Sequence, residues 1–271
     1  LFVRAHCLRS HKHAESDHPV AKARVVALGD QIRNAEGLEH VFTDTSSCPT
    51  SMTHIKTAVF VAASCGEAPL SADATGAYCQ SFLPAEMIIY LHIAEELLTE
   101  AMRTKLRSLG LSASQVVWRL VKPLYGLAIS GALWEKFFEE QARKCGWVPV
   151  KGQPQTFVQY SSDGTPARLL VAYVDDILIA GKGAQKEFDK LSRLIEFGPA
   201  EPLTKMLGVH FRFEPGTVDG HRGQHITMSM RDYLKAVIQR WEADHANPKL
   251  KLHTTPCMPL DSSVLTSTSA L

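Results

Sequence analysis

Apolar and polar positions follow two different periods along the chain, and these periods predict which segments are strands and which are helices. Residues 169–181, LLVAYVDDILIAG, hold two strand-like stretches on either side of the acidic pair Asp175 and Asp176. Residues 155–160 and 168–173, QTFVQY and RLLVAY, flank the turn sequence SSDGT. Both arrangements predict hairpins, so antiparallel strands are expected here.

Apolar residues at helical spacing predict four helices. They cover residues 51–65, a segment from Ser130 to a C-cap near Gly146, residues 184–197, and a helix opened by a Ser229-x-x-Asp232 capping box. In the last helix we expect an interior face made of Tyr233, Leu234, Val237, Ile238 and Trp241. Further strands are predicted at 21–28, 70–83, 115–121, 205–214 and 225–230. The mixture predicts an α+β fold with an antiparallel sheet covered by helices.

Composition restricts the class of protein without specifying a function. The 271 residues, 45% hydrophobic and 21% charged, suit an ordinary globular protein of one large domain or two small ones. No apolar run approaches the ~20 residues that span a membrane, so no membrane partner is expected. Six cysteines without closely paired spacing argue against a disulfide framework or a zinc ribbon and favour a reducing compartment.

Both ends of the chain are predicted to be loose. Residues 1–18 are polar and rich in histidine, but their spacing fits no zinc template, so we expect a flexible lead-in rather than a metal site. Residues 256–271 are rich in Ser, Thr and Pro, which predicts a loose tail. The start carries neither an initiator Met nor the apolar core of a signal peptide, so a fragment of a longer protein is expected.

The charges are unevenly distributed although the net charge is only +1. Residues 72–100 hold five acids and no Lys or Arg, whereas residues 101–151 hold nine Lys or Arg and three Glu, a net charge of +6. This arrangement suits a protein that holds cations at one place and phosphates at another. A solvated surface is the alternative interpretation, since like-charge clusters also occur on ordinary surfaces.

The acidic pair Asp175 and Asp176 needs a physical reason, because carboxylates are almost never buried without a partner and adjacent ones raise each other's pKa. A structural turn is one interpretation, although Asn-Gly or Asp-Gly would suit a hairpin turn better. Two-metal phosphoryl transfer is the other, since two Mg²⁺ ions need several carboxylates on rigid elements. That chemistry needs a third acid from elsewhere, and Asp73 at the end of a short apolar stretch is the candidate.

Several ordered motifs resemble the reverse transcriptases of copia-type retrotransposons. Tyr173-Val174-Asp175-Asp176 is similar to their Tyr-x-Asp-Asp signature, and YVDDILIAG is close to the copia form. The other similar segments are KARVVALG at 22–29, DATGAYCQ at 73–80, VVWRLVKPLYGLAISGALW at 116–134, and MLGVHFRF with ITMSMRDYLKAVI at 206–213 and 226–238. TTPCMPL at 254–260 resembles the segment that closes the domain, so the resemblance covers about residues 20–260.

The resemblance implies a right-hand polymerase fold with fingers, an antiparallel palm sheet and a partial thumb. It places fingers and palm at 19–215 and the end of the palm with the start of the thumb at 216–255. It implies RNA-directed DNA polymerase activity that adds dNTPs to a primer on an RNA or DNA template. The implied partners also include other parts of a Pol polyprotein, and the implied location is a cytoplasmic retrotransposon particle, with the nucleus as an alternative.

The same resemblance assigns roles to individual residues. Asp73 and Asp175 are expected to bridge two Mg²⁺ ions, with Mn²⁺ as a substitute, and Asp176 to assist them. Nucleotide-binding roles fall on Lys22, Arg24, Tyr78, Gly126 and Tyr173, with Tyr78 as a steric gate against a ribose 2′-hydroxyl. Template-primer contacts are expected from Arg119, Lys122 and Lys136. Considered alone, Tyr78 and Trp134 would be core aromatics, and Lys22 and Arg24 surface charges.

One departure from the family leaves an alternative open. After Tyr-Gly-Leu the family usually has Lys-Gln-Ala-Pro-Arg, but this chain has Ala128-Ile129-Ser130-Gly131-Ala132. The cationic and amide groups of that loop are therefore absent. The alternative function is an inactive remnant of the same fold that at most binds nucleic acid. A different metal-dependent hydrolase with an Asp-Asp turn is a third reading, which leaves the other motifs without an explanation.

Overall fold

The computed structural model describes residues 1–12, 20–43, 45–218 and 221–244. Its helices are α1 (Met52–Ser64), α2 (Glu100–Leu109), α3 (Ser130–Lys144), α4 (Ala184–Leu191) and α5 (Arg231–Asp244). Its strands are β1 (Phe2–Lys12), β2 (Val20–Ala27), β3 (Leu70–Asp73), β4 (Tyr90–His92), β5 (Trp118–Arg119), β6 (Val148–Pro149), β7 (Thr156–Tyr160), β8 (Pro166–Tyr173), β9 (Asp176–Ala180), β10 (Glu201–Pro202), β11 (Lys205–Met206), β12 (Val209–Val218) and β13 (His221–Ser229). The predicted mixture of helices and antiparallel strands is confirmed.

A six-stranded sheet lies at the centre, with the strand order β10-β3-β9-β8-β7-β6. Every neighbouring pair in it is antiparallel. The two predicted hairpins, β7–β8 and β8–β9, are both present. In the second, Tyr173 pairs with Asp176, so the connection is only the two residues Val174 and Asp175.

The central sheet is buried on both faces, which explains the nearly continuous apolar run of β9. Ile177 and Ile179 point to one face, into a core that contains α3 and α4. Leu178 and Ala180 point to the other, where they pack with Ile55, Ala58, Val59 and Ala62 of α1. The acidic turn that precedes β9 is therefore attached to a strand fixed by packing on both sides.

A second sheet, β2-β1-β4-β5, contains much of the N-terminal segment. The expected flexible lead-in is wrong for residues 2–12, because they form β1, which pairs antiparallel with β2 and parallel with β4. The backbone ladder orders this strand, Val3 is buried in the core beneath it, and Ala5 packs against the same core. Residues 13–18 of the predicted lead-in lie outside the described part of the chain.

Several predicted elements have different bounds in the structure. Helix α4 ends at Leu191 rather than 197, and the strand predicted at 115–121 is only Trp118–Arg119. Helix α2 was not predicted. On it, Arg103 and Arg107 pair with Glu100, which places part of the basic 101–151 segment in surface ion pairs. For those residues the solvated-surface interpretation holds.

The C-terminal end of the described chain differs most from expectation. Strands β11, β12 and β13 form a three-stranded sheet followed by α5. The predicted interior face of α5 is wrong, since Tyr233, Leu234, Val237 and Ile238 are 43–54% exposed. The predicted Ser229–Asp232 capping box is also wrong. The Asp232 carboxylate lies 3.7 Å from His210 Nε2, and Ser229 Oγ accepts the Arg231 N–H. The predicted tail, 256–271, lies beyond the described residues.

The helices that the structure describes are all too short or too polar to cross a bilayer.

Candidate active site

The acidic turn between β8 and β9 is held in a conformation that its sequence disfavours. Val174 has φ 57°, in the left-handed region where a β-branched side chain is strained. Two hydrogen bonds fasten the turn: Trp134 Nε1 donates to the Val174 carbonyl at 2.6 Å, and the Ala74 N–H donates to the Asp175 carbonyl at 2.8 Å. The turn is thereby joined both to α3 and to the end of β3.

The strand register brings the predicted third acid to this turn. Asp73, the last residue of β3, is the direct neighbour of Asp176, the first residue of β9. Paired side chains on adjacent antiparallel strands have Cβ atoms about 4.5–5.5 Å apart. Burial, and then the charges of Asp175 and Asp73, raise the pKa of Asp176 from 3.8 to about 6. Asp73, which is distant in sequence, therefore forms one electrostatic cluster with the adjacent Asp175 and Asp176.

The segment after β3 is locked by a side chain that the sequence did not mark as functional. Gln80 Nε2 donates to the carbonyls of Thr75 and Glu196 at 2.8 and 2.9 Å, and Gln80 Oε1 accepts the Glu196 N–H at 2.8 Å. The Asp73 carbonyl accepts the Gly198 N–H at 2.8 Å. These bonds fix the backbone that carries Asp73. The only sequence signal was that Gln80 closes the motif DATGAYCQ.

A cavity of about 340 Å³ opens beside the acids, with Asp73 and Asp176 in its wall. Ser71, Glu201 and Lys205 also line it. Cavities of about 300–1,000 Å³ are the usual size for small-molecule sites. The acidic cluster therefore borders a space that a ligand can enter.

Aromatic rings connect the acids to the N-terminal sheet. Tyr78 and Tyr125 lie 4.7 Å apart between ring centres, and Arg24 Cζ lies 4.8 Å from the centre of the Tyr125 ring. Burial first, and the charge of Asp175 second, raise the pKa of both tyrosines. The structure thus places the predicted Arg24 and Tyr78 on one surface near Asp175. Tyr125 joins them; sequence reasoning missed it, although it precedes Gly126 in the Tyr-Gly-Leu motif.

Gly126 allows two segments to approach closely. It has φ 94°, and a Cβ at this position would overlap the Ala27 carbonyl oxygen. The Ala27 N–H donates to the Tyr125 carbonyl at 2.8 Å, so the close contact fixes the end of β2 against the Tyr125 segment. In the structure the missing side chain makes room for the backbone of β2.

The remaining predicted site residues are dispersed over several elements. Tyr173 is half-buried at the end of β8, and Lys22 is half-buried on β2. Arg119 is exposed on β5, Lys136 is exposed on α3, and Lys122 Nζ lies 5.1 Å from the centre of the Phe82 ring. Arg119, Lys122 and Lys136 remain candidates for contacts to an extended ligand.

The unusual loop at 128–132 has a clear structural role. Ile129 is buried in the core beneath the N-terminal sheet. Ser130 begins α3, and its Oγ donates to the Leu124 carbonyl at 2.7 Å. Gly131 lies against Ser47, which donates to Glu135. The loop is therefore packed and hydrogen-bonded without a cation at its surface.

The donor set fits Mg²⁺ in its chemistry, because carboxylate oxygens are the ligands that hard cations prefer. Among the described residues, no group of three or more His, Cys, Asp or Glu is arranged as a ready metal site. Mg²⁺ commonly binds through one or two carboxylates together with substrate phosphates rather than in an all-protein cage. Asp73 and Asp175, with Asp176 beside them, suit that kind of site.

Replacing Asp176 with asparagine should stabilise the metal-free protein at neutral pH. The folded state disfavours the ionised Asp176, so wild-type stability rises as pH falls through about 6 and the carboxylate gains its proton. Because the side chain is partly exposed and solvent screens the charges, we expect a gain of about 1 kcal/mol at pH 7. Denaturant unfolding of Asp176→Asn and of the exposed control Asp30→Asn measures it. A gain that persists unchanged at pH 4 would contradict the electrostatic cause.

A family model described as reverse transcriptase (RNA-dependent DNA polymerase) matches residues 6–258. A protein of Saccharomyces cerevisiae ascribed to transposon Ty5-1 is 28% identical over 144 residues, which are 52% of this chain and 42% of that protein. The match thus spans less than half the length of this relative. No solved structure matches the chain.

The family model covers nearly the whole chain, including the acidic turn, the strand that carries Asp73 and the Tyr125–Gly126 segment. The chain belongs to the reverse transcriptase (RNA-dependent DNA polymerase) family.

Proposed function

We propose that this chain is the RNA-directed DNA polymerase domain of a retrotransposon polyprotein, and that it adds dNTPs to a primer 3′-hydroxyl. One observation carries the proposal: the register of β3 and β9 sets Asp73 beside Asp176, at the turn that contains Asp175. Family membership and the resemblance to a transposon protein support the same activity. The proposed setting is a cytoplasmic retrotransposon particle, with the nucleus as the alternative.

In this proposal the three sheets correspond to the parts of a right hand. The central sheet with α1, α3 and α4 is the palm, and the sheet β2-β1-β4-β5 is the fingers. Strands β1 and β2 precede palm strand β3, and β4 and β5 lie in sequence between β3 and β6, so two separate parts of the chain build the fingers sheet. The end of the palm and the start of the thumb fall at 216–255, of which the structure describes only a part.

The residues of the acidic cluster supply the chemistry of the proposed reaction. Asp73 and Asp175 would hold two Mg²⁺ ions, and Asp176 would add negative charge to the site; Mn²⁺ suits the same oxygens. When bound, the ions would lower the electrostatic repulsion between the primer 3′-oxygen and the α-phosphate. The two-residue turn and its hydrogen bonds keep the carboxylates in place, so little reorganisation is needed.

The surface from Arg24 to Tyr78 is the proposed nucleotide site. Arg24, with Lys22 on the same strand, binds the triphosphate, and Tyr78 blocks a ribose 2′-hydroxyl. Gly126 and Tyr173 shape the site through backbone contact and packing. Arg119, Lys122 and Lys136 are proposed to contact the template-primer backbone, which would add affinity but no sequence specificity.

Replacing Tyr78 with alanine should admit ribonucleotides. Removal of the ring opens space beside Tyr125, and we expect the preference for dNTP over NTP to fall at least about tenfold, or about 1.4 kcal/mol in discrimination. Tyr78→Phe keeps the ring and is the matched control. Steady-state incorporation of dNTP and NTP on one template-primer measures the ratio. Equal discrimination between dNTP and NTP in wild type and Tyr78→Ala would show that Tyr78 is not the steric gate.

The alternative function is an inactive remnant that binds nucleic acid, and the loop at 128–132 favours it. That loop presents no cation or amide to a nucleotide, since its residues are Ala, Ile, Ser, Gly and Ala. A primer-extension assay on an RNA template with dNTPs and Mg²⁺, run beside a binding assay on the same preparation, separates the two. Binding of the template-primer without extension would contradict the polymerase function and support the inactive remnant.

A further inference from the structure

Trp134 contacts the acidic turn between β8 and β9, although its spacing in the sequence indicates an ordinary core aromatic. The side chain is 1% exposed and packs against Phe137 and Phe138. Its Nε1 donates to the Val174 carbonyl at 2.6 Å, across forty positions of sequence. A buried indole N–H often finds an acceptor, so the bond by itself need not be functional.

Two other tryptophans set this bond apart. Trp118 and Trp147 bury Nε1 without any hydrogen-bond partner among the described residues. Trp147 belongs to the same core cluster as Trp134 and is equally buried at 1% exposure. The fold therefore tolerates an unpaired indole N–H close by, and satisfying a donor is not a sufficient reason for the placement of Trp134.

The acceptor lies at the strained residue of the turn. Val174 has φ 57°, where a β-branched residue is costly and persists only when its surroundings hold it. On the far side, the Asp175 carbonyl is fixed by the Ala74 N–H, one residue beyond Asp73. The Trp134 bond and the Ala74 bond thus hold the turn from two sides, and together they set the position of Asp175 relative to Asp73.

We propose that Trp134 is a positioning residue of the active site: its indole N–H holds the left-handed Val174 turn and thereby keeps Asp175 beside Asp73. The inference rests on the proposed polymerase function for its kinetic consequence, but its structural consequence is independent of activity. Since α3 begins at Ser130, which bonds to Leu124, the same helix also joins the Tyr125 segment to the acidic turn.

The test compares Trp134→Phe with Trp147→Phe, the same substitution in the same core without a bond to the turn. In Trp134→Phe we expect kcat for dNTP incorporation to fall about tenfold and KM for dNTP to stay within about twofold, because the loss lies in carboxylate placement. The Mg²⁺ concentration for half-maximal rate should rise. Trp147→Phe should lower thermal stability and leave these three quantities within about twofold of wild type.

Amide hydrogen exchange at Ala74 provides a readout besides activity, because that N–H donates to Asp175. Exchange should accelerate at least about tenfold in Trp134→Phe and not in Trp147→Phe. Adding Val174→Gly to Trp134→Phe removes the backbone strain that the Val174 Cβ causes. The double variant should regain part of kcat and part of the protection of the Ala74 amide against exchange.

Equal effects of the two tryptophan substitutions on kcat and on exchange of the Ala74 amide would overturn the proposal, since Trp134 would then contribute only to packing of the core. Failure of Val174→Gly to restore any protection would also count against it. A wild-type chain that extends no primer, but whose Ala74 amide responds only to Trp134→Phe, would support the positioning of the turn and contradict the polymerase function.

Discussion

The Asp175→Asn variant is expected to incorporate nucleotides at least about a thousandfold more slowly than wild type, which corresponds to about 4 kcal/mol of transition-state stabilisation. The substitution keeps the shape of the side chain and removes the charge that is proposed to hold the metal ions. The Asp175 carbonyl, which accepts the Ala74 N–H, is unchanged, so the turn should remain folded. Single-turnover incorporation on a fixed template-primer measures the loss.

A second hairpin turn of the same sheet offers a matched control for this variant. Asp163 lies in the β7–β8 turn, where its carboxylate accepts hydrogen bonds from Ser161 and Thr165. Asp163→Asn makes the same chemical change outside the acidic cluster and should leave the incorporation rate within about twofold of wild type. Extension that survives in Asp175→Asn would show that the metal assignment is wrong.

The Gly126→Ala variant is expected to lose a large part of its stability. An added Cβ would overlap the Ala27 carbonyl oxygen, and φ 94° disfavours any L side chain. Overpacking of this kind, together with backbone strain, should lower the free energy of unfolding by about 3 kcal/mol or more. Denaturant unfolding monitored by tryptophan fluorescence measures the change.

Gly152→Ala separates the overlap from the backbone strain. Gly152 has φ 74°, but a Cβ there would meet no atom within 4 Å, so only the strain of about 1–2 kcal/mol remains. Similar losses in the two variants would mean that close approach of β2 is not what Gly126 provides. Because the same contact places Arg24 over Tyr125, Gly126→Ala should also weaken dNTP binding.

The elements that the sequence predicts well are those whose burial is set locally. Strand β9 is buried on both faces, and its apolar run is visible without the fold. The hairpins at SSDGT and at the acidic pair also follow from local turn and strand signals. For the same reason Asp175 and Asp176 are identifiable from sequence as an anomaly.

The elements that the sequence predicts badly depend on partners that are distant in the chain. Among residues 2–10 of β1 only Val3 is buried, so the sequence gives little sign of a core strand, and backbone pairing with β2 and β4 reveals it. Helix α5 has an apolar stripe that periodicity assigns to an interior, yet the described residues leave Leu234 and Val237 exposed. Periodicity identifies a face but cannot say what covers it.

The residues of the candidate active site divide in the same way, into those marked by local sequence and those that depend on distant contacts. Asp73 was a candidate because of its place at a strand end, and the β3–β9 register now puts it beside Asp176. Tyr125, Gln80 and Trp134 act through contacts across 40 or more positions, to Arg24, Glu196 and Val174 respectively, and no local pattern marks them. The residues that carry charge could be predicted, whereas those that hold the charges in place required the fold.

The most direct test of the account is the incorporation of a single nucleotide opposite a defined base of an RNA template by the wild-type chain. Each of the four dNTPs is offered separately, with Mg²⁺ and then with excess chelator. The account predicts that the complementary dNTP alone extends the primer efficiently and that the chelator abolishes the product. Tight binding of the template-primer without extension, or extension that ignores the template base, would contradict it.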